Sequence, residues 1–191
     1  MSNPTRNFNT KYTLWFVLAV PWLVMTVRYV TGDLYYGEFI HATGEFSARL
    51  LIITMAATPL RMMFVTSRWT QWLLQNRRYF GVATFAYAVP HLLAYLWKLA
   101  SAARILEEGM QPEMWTGWIA LVIFLALALT SNNSSTRKLG RRWKSLHRLV
   151  YLAAILTFVH WVLVAFNPAA GLVHAGILIA LETFRVVRSA R

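Results

Sequence analysis

Six stretches of mostly apolar residues, each near the length that carries a helix across a bilayer, dominate this sequence: about 12–29, 43–63, 79–99, 114–131, 146–166 and 169–187. A spanning helix needs about 20 such residues, because a rise of about 1.5 Å per residue must cover roughly 30 Å of hydrocarbon. Lipid offers the backbone no hydrogen bonds, so the chain must pair its amides internally. The fold class that follows is an all-α membrane protein, a six-helix transmembrane bundle. With 14% charged residues the chain is far from a water-soluble composition, which runs near ~25%. The connections are short and no repeat stands out, so residues 1–191 read as one domain in contact with membrane lipid.

Charge placement orients the bundle. Arg6 and Lys11 precede the first span, Arg61, Arg68, Arg77 and Arg78 surround the second connection, six basic residues fill 137–148, and Arg185, Arg188 and Arg191 follow the last span. With six spans these fifteen of the nineteen Lys and Arg residues share one side. Asp33, Glu38, Glu107, Glu108 and Glu113 fall on the other, so the positive-inside rule puts both termini in the cytoplasm. Trp69, Trp72, Trp115, Trp118 and Trp143 lie near span ends, as an interfacial belt does. The polar start at 2–11 has no small-residue cleavage site after its apolar run and reads as a retained helix. Residues 131–145 read as a solvated cytoplasmic loop.

Several function classes drop out. The net charge of +12 sits in clusters between apolar stretches rather than along one soluble face, which excludes nucleic acid as a partner. No G-x-G-x-x-G fingerprint or P-loop is present, so the chain carries no dinucleotide module or ATPase of its own. Without cysteine there is no thiolate-held metal and no covalent haem attachment, so redox chemistry requires a group held by side-chain ligation.

The five histidines carry the chemistry, since ionisable groups within spans are costly and mark function. His91 lies about 12 residues into the third span and His160 about 14 into the fifth, roughly 18 and 21 Å from the same side. Equal depth on two helices is what a bis-imidazole haem iron requires. His147, 13 residues before His160, falls about 20 Å lower and suits a second redox site. Its azimuth differs by about 140° on a straight helix, and the third span has no histidine at that depth, so a lower haem would need another kind of ligand.

His41, Glu45 and Arg49 form an i, i+4, i+8 row at the start of the second span. Two readings stand side by side for Arg49: a partner for a haem propionate, or an internal ion pair with Glu45. His41 and His174 both belong near the outer face, as cofactor contacts or as solvated side chains. Pro90 removes a helical hydrogen bond immediately before His91 and can aim its imidazole. Gly44 and Gly81 read as close-approach points for a helix or a haem, with helix packing the plainer reading, and the Met and Phe stripes as lipid-facing residues or bundle filler.

Three segments bear a resemblance to a known family: HATGEFSARLLIITMAATPLR at 41–61, RRYFGVATFAYAVPHLLAYL at 77–96 and RKLGRRWKSLHRLVYLAAILTFVHW at 137–161. They resemble the ferric-reductase-like transmembrane cytochromes, and within them the haem-binding membrane subunits of bacterial periplasmic methionine-sulfoxide reductase systems. The resemblance implies a b-type cytochrome of the inner membrane with one haem or two. It implies electrons taken from quinol or a cytoplasmic flavin reductase and passed to a periplasmic molybdopterin reductase. The matching ligand positions are His91, His147 and His160.

Transmembrane electron transfer is therefore the leading expectation, with the chain a subunit of an oxidoreductase system rather than a self-contained enzyme. The basic loops at Arg77, Arg78, Arg141 and Arg142 offer a site for a flavin phosphate such as that of FMN, or for an acidic reductase. Two alternatives remain: an accessory or assembly subunit of a larger membrane complex, and a small transporter or proton channel without haem that uses His91 and His160 as relay groups.

Overall fold

A computed structural model describes residues 4–190, with side chains from residue 11 onward. The side chain of Arg6, together with Ser2 and Arg191, falls outside the described residues. Among the described residues every regular element is a helix, and there is no strand. Long helices are α1 (Pro4–Val30), α2 (Tyr36–Met63), α3 (Arg68–Leu99), α5 (Pro112–Leu129), α8 (Leu149–Val164) and α9 (Ala169–Ser189). Short ones are α4 (Ala102–Gly109), α6 (Asn133–Leu139) and α7 (Arg141–His147). The expected loop at 131–145 is thus largely helical: the Asn132 side chain accepts from the Ser135 amide at 2.8 Å and starts α6, because an N-cap supplies the acceptor that a helix start lacks.

Among the described residues, five segments are long and apolar enough to cross a membrane: Lys11–Val30, Arg68–Leu99, Pro112–Leu129, Arg141–Val164 and Ala169–Ser189. The chain is a multi-pass membrane protein. The segment that falls short is α2, which carries Glu38, Glu45, Arg49 and Arg61. Its position explains the exception. α2 has its largest interface with α3, and also meets α1, α8 and α9.

Two apolar clusters flank it. Ala48, Leu51 and Met55 of α2 pack with Phe124 of α5, Ala153 and Phe158 of α8 and Leu178 of α9. Leu50 and Ala57 pack with Leu14 of α1 and with Leu73, Phe80, Ala83 and Tyr87 of α3. A helix enclosed by protein does not need the uniformly apolar surface that lipid demands. The peripheral helices expose theirs, with Phe16 and Val27 on α1, Val122 on α5, Ile155 on α8 and Val173 on α9 turned outward.

Candidate functional site

α2, α3, α5 and α8 surround a cavity of about 560 Å³, within the range of small-molecule and cofactor sites. Its lining is mostly apolar, with Ala48, Leu92, Leu121 and Phe124 among the walls, and three imidazoles line it: His41 from α2, and, facing one another across it, His91 from α3 and His160 from α8. Their ring centroids are 6.5 Å apart and their planes cross at 79°. The depth match expected from the sequence is realised in space.

Each imidazole is fixed from behind. His91 Nδ1 lies 2.9 Å from the carbonyl oxygen of Ile40 on α2, and His160 Nδ1 lies 3.0 Å from that of Glu113 on α5. A carbonyl only accepts, so Nδ1–H donates in both and the lone pair of each ring is at Nε2. This is the arrangement of metal-binding histidines, whose second nitrogen is held by a backbone or carboxylate acceptor. The spacing passes the corresponding test. Metal–imidazole bonds of about 2 Å, with about 1.1 Å more from nitrogen to ring centre, separate two axial rings by roughly 6.3 Å. The observed separation of 6.5 Å is close to that value. The described residues contain no group of three or more His, Asp or Glu side chains placed to hold a metal ion.

Close packing against these rings comes from two glycines. A Cβ on Gly44 would stand 3.0 Å from His91 Nδ1, and one on Gly117 would stand 2.8 Å from His160 Cε1. Gly44 is therefore a close-approach point against an imidazole rather than against a neighbouring helix. Gly117 and Thr116 are not among the residues the sequence singles out. Gly81 meets only the Thr54 side chain, at ordinary contact distance.

The remaining sequence candidates divide. His41 and Glu45 also line the cavity. His41 Nδ1 is 3.7 Å from Glu45 Oε2, and the ring stands edge-on to Trp161 at 6.4 Å. Arg49 is outside the lining: its guanidinium pairs with Glu45 and its Nε–H donates to His174 Nε2 at 3.4 Å. Arg49 thus makes the ion pair with Glu45 that the sequence offers as one of its two readings. Trp161 lines the cavity beside His160 and lies 5.3 Å from the His174 ring.

His147 is elsewhere. Its ring stacks on Trp143 with centroids 3.9 Å apart, and its Nε2 makes a 3.0 Å hydrogen bond with Thr130 Oγ1. Trp143 in turn donates its indole N–H to the Thr130 carbonyl at 3.0 Å. The basic residues named for a flavin do not share these contacts; Arg78 donates to the Asn133 side chain at 2.8 Å.

Fold and site together define a class: an all-helical, multi-pass membrane protein with two opposed, backbone-anchored imidazoles in an apolar cavity among its helices. Comparison with known proteins gives the particular family. Residues 43–158 match the ferric reductase like transmembrane component family, and the chain belongs to that family. It is 39% identical over 154 residues to the protein-methionine-sulfoxide reductase heme-binding subunit MsrQ of Brucella anthropi, covering 78% of this chain and 68% of the relative. To the MsrQ subunits of Brucella ovis and Brucella canis it is 37% identical over 181 residues, covering 93% of this chain and 80% of each relative.

Proposed function

We propose that this chain is the haem b subunit of a methionine-sulfoxide reductase system, carrying electrons across the bacterial inner membrane to a periplasmic molybdopterin reductase. The observation that carries this reading is the facing pair of imidazoles, 6.5 Å apart, with each Nδ1 tied to a backbone carbonyl. His91 and His160 are the residues that would hold the haem iron, within mostly apolar cavity walls. Haem bound there supplies a one-electron couple within the membrane. The protein contributes ligand orientation through the Ile40 and Glu113 carbonyls, and a low-dielectric shell that sets the potential.

The reading takes α2 as the sixth span and the whole chain as one domain, with both termini in the cytoplasm on the side of the basic residues. Electrons enter on that side, from quinol or from a cytoplasmic flavin reductase, with FMN recruited at the Arg77, Arg78, Arg141 and Arg142 surface. His41 and Glu45 border the outer part of the site, toward the periplasmic partner. His147 is the candidate ligand of a second, lower haem, for which its Nε2 would exchange the Thr130 hydroxyl for iron.

Reconstitution tests the assignment. Purified protein in vesicles is expected to contain low-spin b-type haem that is reduced by a quinol or by a flavin reductase with FMN, and reoxidised by a periplasmic methionine-sulfoxide reductase on the other face. A haem that neither donor reduces, or a haem-free protein that takes none up, contradicts it.

A further inference from the structure

The two candidate ligands are held by copies of one local arrangement. On α2, the Ile40 carbonyl accepts from His91 Nδ1 at 2.9 Å and is also 3.2 Å from the hydroxyl of Thr43, three residues on, whose shorter bond, at 2.8 Å, goes to the Phe39 carbonyl. Next comes Gly44, whose missing side chain leaves space for the same ring. On α5, the Glu113 carbonyl accepts from His160 Nδ1 at 3.0 Å and from the hydroxyl of Thr116, again three residues on, at 2.7 Å. Next comes Gly117, with a built Cβ 2.8 to 3.1 Å from three atoms of that ring. The pattern carbonyl-x-x-Thr-Gly thus occurs once on each helix that faces a ligand, as IHATG at 40–44 and EMWTG at 113–117. Its geometry follows from helical spacing, since positions i, i+3 and i+4 share one face.

We infer that these are paired positioning seats, and that Gly44 and Gly117 hold the His91 and His160 ring planes crossed at 79°. The inference rests on the haem reading above and extends it to residues that touch only the ligands. Each ring has two fixed neighbours, the carbonyl at one nitrogen and the glycine face alongside. A methyl group at either glycine meets an imidazole at 3.1 Å or less. A helix can move aside only together with everything packed against it, whereas the ring turns about its own side-chain torsions. Substitution by alanine therefore rotates the imidazole. The two ring planes govern how the iron d orbitals split: crossed planes keep two of them nearly degenerate and give ferric low-spin haem a highly anisotropic resonance with one large g value, and parallel planes give an ordinary rhombic signal.

The test is electron paramagnetic resonance of the oxidised, detergent-purified full chain, with haem content measured alongside. The original protein is expected to show the large-g signal. Gly117→Ala and Gly44→Ala are expected to remain helical and monodisperse, with that signal replaced by a rhombic or high-spin one. Gly81→Ala, a glycine of the same bundle that borders only Thr54, is expected to keep it. If Gly117→Ala does not accumulate, Gly44→Ala carries the test. Unchanged signals in both ligand-facing variants overturn the inference while leaving the haem reading intact, as does an ordinary rhombic signal from the original protein. Failure of both variants to fold while Gly81→Ala folds also counts against a positioning role. An original protein without low-spin haem overturns the functional reading, and the inference with it.

Discussion

The indole N–H of Trp22 on α1 donates to the carbonyl of Ala86 on α3 at 3.0 Å, and Ala86 is four residues before Pro90. Proline has no amide hydrogen, so this carbonyl lacks its helical partner, and Trp22 supplies one from a neighbouring helix. One turn away, the Tyr87 hydroxyl donates back to the Leu18 carbonyl at 2.8 Å. The proline that precedes His91 is thus bound into the bundle.

Replacing Trp22 by Phe keeps an aromatic ring but leaves the Ala86 carbonyl unpaired. An unsatisfied buried polar group costs about 1–3 kcal/mol, so Trp22→Phe is expected to lower the thermal unfolding midpoint in detergent by several degrees. Trp97→Phe, at a position 81% exposed, is expected to leave the midpoint unchanged. Equal midpoints for the two variants would show that the bond contributes nothing.

Charge near the cavity yields a prediction with a sign. Glu45 lines the cavity and Arg49 neutralises it from outside. Removing the cation in Arg49→Gln leaves a negative charge close to the haem, which stabilises the ferric state and lowers the midpoint potential. Glu45→Gln is expected to raise the potential, and the double variant to lie near the original value. Redox titration by absorbance reads all three, and shifts of the same sign in both single variants would rule the pairing out as a tuning device.

Much of this organisation is legible in the sequence because membrane helices share an axis. Along that axis residue number converts directly to depth, which is how His91 and His160 come out as a pair. Hydropathy reports exposure to lipid rather than helicity, so it locates the lipid-facing helices well and understates α2, whose Glu45 and Arg49 are partnered within the protein. It also renders α6 and α7 as a loop, since a polar helix at the surface has no apolar stripe to display. Azimuth and rotamer depend on packing, which is why the stacking of His147 on Trp143 was not visible. Thr116 and Gly117 carry a signal that was available, the repeat of the Thr-Gly pair in HATG, but it gains meaning only when the carbonyls of Ile40 and Glu113 are seen against the rings.

The His147 contacts lead to a separation of roles. His147→Ala removes the stack on Trp143 and the hydrogen bond with Thr130, together worth about 1–2 kcal/mol. The variant is expected to unfold at lower temperature and yet to keep the spectrum of the haem between His91 and His160, because His147 does not line that cavity. Loss of the whole low-spin spectrum in this variant would contradict the separation.

The central claim is that His91 and His160 jointly ligate one haem, and reduced-minus-oxidised absorbance with haem quantified per chain tests it most directly. His91→Ala and His160→Ala are each expected to lose the low-spin b-type spectrum of the cavity haem, with haem content falling by one per chain, while His41→Ala and His174→Ala retain it. Full haem content and an unaltered spectrum in either His91→Ala or His160→Ala would contradict the account.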